Sequence, residues 1–210
     1  MKLGLCLIVL LTGVVVQVGW LLDIPIILTV MENCVSMKPS TAMSFILASF
    51  IAIIINSDYR RHTIELASFV FALSLQITGM LLAQVTGLTT GINLIPVGHD
   101  TSMYTVHPHL PSVGTMIAFI FITTMGISFL LKKPSYFAAR ALLVIGLVAL
   151  TGYVCEIPLL YYYVPELSTG MAIHTAMGFV LLSVAIWRPQ HEKAVLQEKT
   201  SHTSDYNRGL

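Results

Sequence analysis

The sequence predicts an all-α integral membrane protein, a six-transmembrane-helix bundle built of three parallel helical hairpins. Three observations carry that prediction. Of 210 residues, 56% are hydrophobic and only 10% charged, against roughly 25% charged in a soluble domain. Six apolar runs of spanning length recur, a helical span needing about 20 residues. The basic residues alternate from loop to loop. A mean hydropathy of +0.84 leaves too few polar residues to cover a water-facing surface. That excludes a soluble globular enzyme, a disordered chain and a coiled coil. With 11 Lys and Arg against 10 Asp and Glu, no basic surplus exists for nucleic acid. Three cysteines are too few, and odd in number, for a disulfide scaffold. Cys34 and Cys155 fall near one membrane face, which leaves a bridge between them open.

Span one covers residues 3–22. Lys2 before it fits the start of a signal peptide, but no small-x-small cleavage site follows, so the run is read as retained. Span two covers residues 39–55, and Pro39, Ser40 and Thr41 suit its cap and first turn. Span three covers residues 64–85, span four 112–131, span five 137–155 and span six 170–187. The membrane domain thus takes residues 1–187, and residues 188–210 form a short polar tail. Arg60 and Arg61 follow span two. Lys132 and Lys133 follow span four, with Arg140 just beyond, and Arg188, Lys193, Lys199 and Arg208 lie in the tail. The other three loops hold only Lys38 among basic residues. The positive-inside rule then puts both termini in the cytoplasm.

An internal repeat organises the polar residues. Gly19, Trp20, Asp23, Ile24 and Pro25 end span one, and Gly152, Tyr153, Glu156, Ile157 and Pro158 end span five in the same spacing. Met37, Thr41, Ala42, Met43 and Phe45 open span two, and Met171, Thr175, Ala176, Met177 and Phe179 open span six. A fainter middle copy has Gly79 in span three and Thr115, Met116 and Phe119 in span four. The hairpins all cross outward and return, so the copies are parallel. Asp23 and Glu156 sit at helix C-termini, where the helix dipole disfavours a carboxylate. Each acid is therefore expected to need a partner. Trp20 and Tyr153 read as interfacial anchors, and Pro25 and Pro158 as helix stops.

These motifs resemble the multi-span N-terminal membrane sensor modules of bacterial histidine kinases and diguanylate cyclases. The resemblance rests on Met37 to Phe45, on Gly152 to Pro158 and on Met171 to Phe179. It implies a sensor-like protein of the bacterial inner membrane. No kinase or cyclase motif fits in residues 188–210, so output is expected through a separate kinase, cyclase or other membrane partner. No ligand or cofactor identity and no catalytic residue carries over.

The expected ligand site lies near the outer face. Its candidates are Asp23, Lys38, Thr41, Glu156, His174 and Thr175, with Lys38 as counter-ion to an acid. The loop from about residue 86 to 111 adds His99, His107 and His109 as candidate metal ligands, since residues two apart in an extended segment project to one side. Only His174 is plausibly intramembrane, which argues against haem held between facing histidines. No nucleophile elbow or zinc-protease motif is present, so an enzyme is disfavoured. The reading is a sensor for a small ligand, ion or lipophilic molecule. The rivals are a small proton- or metal-coupled transporter and a metal-dependent membrane enzyme.

Overall fold

The computed structural model describes residues 1–29, 35–57, 60–87, 110–133, 135–162 and 169–187. Seven α-helices and one 3₁₀ turn occur among these residues, and no strand. They are α1 (Lys2–Leu21), α2 (Pro25–Leu28), α3 (Pro39–Asn56), α4 (Thr63–Thr86), α5 (Val113–Leu130), α6 (Phe137–Val154), the 3₁₀ turn (Pro158–Leu160) and α7 (Ile173–Ile186). α1, α3, α4, α5 and α6 are each long and apolar enough to cross a bilayer. The protein is a multi-pass helical membrane protein, with lipid as the solvent of its outer surface. Large apolar side chains such as Leu11, Phe71, Leu82 and Val144 stay exposed on the helices, as a lipid-facing surface requires.

The sixth apolar run differs from expectation. α7 begins at Ile173 and has 14 residues, about 21 Å at 1.5 Å per residue. Residues 169–172 are non-helical and buried, because their backbone is engaged elsewhere. The Met171 N–H donates to the Tyr161 carbonyl at 2.7 Å, and the Met171 carbonyl accepts from the Tyr153 hydroxyl at 2.7 Å. The same pair of bonds occurs ahead of α3. The Met37 N–H donates to the Leu28 carbonyl at 3.0 Å, and Trp20 Nε1 donates to the Met37 carbonyl at 2.8 Å. Trp20 is buried and Tyr153 half-buried. They act as cross-braces between a helix end and the next extended segment.

Helix ends follow a related logic. Asp23 and Glu156 adopt left-handed backbone, at φ 52° and 57°. This turn lets the Ile24 N–H return to the Gly19 carbonyl at 2.9 Å and the Ile157 N–H to the Gly152 carbonyl at 2.8 Å. Each is a Schellman-type closure that satisfies a terminal carbonyl. The helices therefore end before the prolines. Pro25 and Pro158 open α2 and the 3₁₀ turn instead, at the first position, where a missing N–H costs nothing. Lys132, at φ 58°, closes α5 the same way, and its positive charge suits the dipole there.

α1 packs on α3, α4 on α5 and α6 on α7, while α3 also touches α4, α5 and α7 and so stands at the centre. Small residues permit this closeness. A Cβ on Gly13 would stand 2.9 Å from the Ala42 carbonyl oxygen, and one on Gly146 would stand 2.8 Å from that of Ala176. α3, α5 and α7 begin alike. Their N-caps Lys38, Ser112 and Ala172 share extended backbone at φ −72°, −64° and −68°. Two turns in, Phe45, Phe119 and Phe179 meet pairwise, with ring centroids 5.2, 4.9 and 5.1 Å apart. At the opposite end of the bundle Lys2 Nζ donates to the Trp187 carbonyl at 3.0 Å. Arg140 lies over the Trp187 ring, and Arg60 and Lys132 line one cleft. Basic residues from four parts of the chain therefore gather at one end.

Candidate functional site

His174 occupies the first turn of α7, directly after the extended residues that replace a longer helix. Both of its ring nitrogens are buried and meet no hydrogen-bond partner. The ring opens onto two connected features between α1 and α7. One is a groove of about 440 Å³ lined by Ile8, Leu11, Val15, Val16 and Ile27. The other is a cavity of about 110 Å³ that reaches inward to Val9, Phe45, Gly178 and Leu181. Thr12 lines both, but its hydroxyl already donates to the Ile8 carbonyl at 2.9 Å. The imidazole is thus the unsatisfied polar group of an otherwise apolar groove. A neutral imidazole offers one donor and one acceptor. The two point to opposite sides of the ring, so a single hydroxyl or carboxylic acid on an apolar body, the kind of group that suits a groove facing lipid, can meet one of them at a time.

The remaining predicted site residues separate by environment. Lys38 is 2% exposed. It caps α3 rather than lying in a loop, and its Nζ donates to Ser36 Oγ at 3.0 Å. Thr41 and Thr175 are buried near the starts of α3 and α7. Asp23 and Glu156 are exposed, and neither lines the groove or cavity at His174. Their repeated position follows from the helix closure, which uses their backbone and leaves their side chains outward. Among the described residues, no group of three His, Cys, Asp or Glu stands close enough to hold a metal ion. His99, His107 and His109 lie outside the described residues, as does Cys34. Cys155 is a free, exposed thiol.

Sequence reasoning found His174 but not its surroundings. Ile8, Leu11 and Val15 look like any lipid-facing residues, and nothing in a one-dimensional pattern sets them opposite an imidazole. No protein-family model, curated protein or solved structure matches this chain.

Proposed function

We propose that this chain is a six-span sensor-like membrane module, made of three parallel hairpins, that binds a small lipophilic molecule at His174. The single observation that carries this reading is the imidazole with both nitrogens buried and unpartnered, opening on an apolar groove. A buried polar group without a partner costs about 1–3 kcal/mol. A ligand hydroxyl or carboxylic acid would satisfy one of the nitrogens while its apolar body replaces lipid against α1. The extended residues before α7 lengthen the crossing that 14 helical residues begin. This supports six spans, since backbone outside a helix is tolerated at membrane depth only where protein satisfies it. The basic end would face the cytoplasm, which sets the groove in the outer half. On the resemblance to bacterial sensor modules, the membrane is the bacterial inner membrane and a separate partner reads the bound state. α7 is the natural reporter, because the residue that meets the ligand stands at one end of it and Trp187 at the other.

The test uses a photoactivatable long-chain alcohol on the protein in nanodiscs. Labelling should map to α1 and α7, and His174→Leu should reduce it at least several-fold. Leu82→Ala on the lipid face should leave it unchanged. Equal labelling of the wild type and His174→Leu would remove the basis for the proposal.

A further inference from the structure

The three hairpins share one register, and His174 stands where they differ. α1, α4 and α6 each end at or beside a residue in left-handed backbone, Asp23, Gly87 and Glu156. Counted back from those residues, the buried faces coincide. Val9, Gly13 and Val16 of α1 match Leu73, Ile77 and Met80 of α4 and Leu142, Gly146 and Ala149 of α6, and all are buried. α3, α5 and α7 align on their N-caps, which brings Phe45, Phe119 and Phe179 to one position. In this register Thr12, Gln76 and Ile145 are equivalent, each eleven residues before its left-handed residue. So are Ser40, Gly114 and His174, each the second residue after its N-cap.

α4 packs on α3 as α1 packs on α7, so these two seams between hairpins correspond. At the α3–α4 seam the chain fills the space itself. Gln76 is buried, and its Nε2 donates to the Ser40 carbonyl at 2.8 Å. The Ser44 hydroxyl, one turn along, donates to the same carbonyl at 2.9 Å. At the α1–α7 seam Thr12 stands where Gln76 does, and Gly178 where Ser44 does. Glycine has no side chain to donate, and the Thr12 hydroxyl is turned to the Ile8 carbonyl of its own helix. Thr12, His174 and Gly178 all line the cavity of about 110 Å³. The cavity therefore lies where a carboxamide and a serine hydroxyl sit at the sister seam. The positions that donate to the Ser40 carbonyl supply no side-chain donor to that of His174.

We infer that the His174 cavity takes a primary carboxamide on a long apolar chain, its amide standing in for that of Gln76. This rests on the reading of His174 proposed above and names the headgroup. A primary carboxamide carries two N–H donors and a carbonyl acceptor. One N–H goes to the second lone pair of the His174 carbonyl, as the Gln76 amide goes to that of Ser40. The other N–H, or the amide oxygen, meets one imidazole nitrogen. An alcohol has a single O–H, and so can donate to the carbonyl or to the ring but not to both. A carboxylate has no donor at all and would bring an unpaired charge into an apolar cavity. The chain of the ligand leaves along the groove on α1, past Leu11 and Val15.

The test is competition against the photoactivatable long-chain alcohol, on the full chain in nanodiscs. The competitors share one chain length: a primary amide, its N,N-dimethyl amide and the carboxylic acid. The primary amide should displace the label at a concentration at least several-fold below the other two. The dimethyl amide keeps the chain and the acceptor but has lost both donors. Equal displacement by all three, or stronger displacement by the acid, would overturn the carboxamide while His174-dependent labelling still stood. Labelling that never depended on His174 would remove the site itself. A second arm supplies the carboxamide from the chain. Thr12→Gln should abolish labelling and raise the thermal midpoint in detergent by a few degrees. Thr12→Leu fills the same space without a donor and should block labelling with a smaller gain. A Thr12→Gln variant that labels like the wild type, or is no more stable than Thr12→Leu, would equally refute the inference.

Discussion

Replacing Phe45 with alanine tests whether the centre of this bundle is held by packing rather than by exclusion from water. In a bilayer the apolar transfer term largely cancels, because lipid is as apolar as the core. What remains is contact. Phe45 is buried and packs against both Phe119, at 5.2 Å, and Phe179, at 4.9 Å. Two aromatic pairs at about 0.5–1.5 kcal/mol each contribute about 1–3 kcal/mol. Any space left open adds about 24 cal/mol per Å³. Gly178 packs directly on the Phe45 ring and has no side chain to fill the gap, so collapse is incomplete. The expected loss is about 2–4 kcal/mol. The assay is unfolding in mixed micelles of mild detergent and dodecyl sulfate, followed by circular dichroism. Phe71, 70% exposed on α4, is the control, and Phe71→Ala should change stability little. If Phe45→Ala and Phe71→Ala lose the same amount, the triad is not a packing centre and the reasoning fails.

Two further predictions concern the helix ends. Asp23→Gly and Glu156→Gly should each stabilise the protein by about 1 kcal/mol, since glycine adopts left-handed backbone freely while other residues lose about 1–2 kcal/mol there. Alanine at the same positions should give no such gain, and equal midpoints for Gly and Ala variants would count against the closure. Trp20→Phe and Tyr153→Phe should each destabilise by about 0.6–1.7 kcal/mol, the range for interhelical hydrogen bonds in membranes. Their double variant should add within about 0.5 kcal/mol, because the two braces belong to different helix pairs; strong non-additivity in the melting curves would contradict that separation.

Much of the helical scaffold is legible in the sequence. Long apolar runs are set by composition, and composition survives without knowledge of contacts. Five of the six runs became long apolar helices within a residue or two of the expected limits. The sixth lost its first turn because Met171 exchanges both backbone groups with Tyr153 and Tyr161, a competition no local propensity reports. The acids show the opposite case. Their repetition drew attention to their carboxylates, while the structure uses their backbone turn. A repeated charge can therefore mark a repeated bend.

By itself the sequence determined that this chain belongs in a bilayer, where its five long apolar helices run and which basic groups share an end. Lipid imposes those properties residue by residue, through the cost of an unsatisfied backbone or an unpaired charge. Only the tertiary structure decided which polar groups are satisfied. A serine on a helix can turn to its own carbonyl or face a neighbouring helix, and a histidine at a helix start can cap, pair or stand alone. Those choices depend on what lies within about 3 Å, and that distance is set by the packing of helices remote in sequence. For that reason the unpartnered imidazole of His174 and the unpartnered hydroxyls of Ser49, Thr123 and Ser183 emerge only from the folded protein.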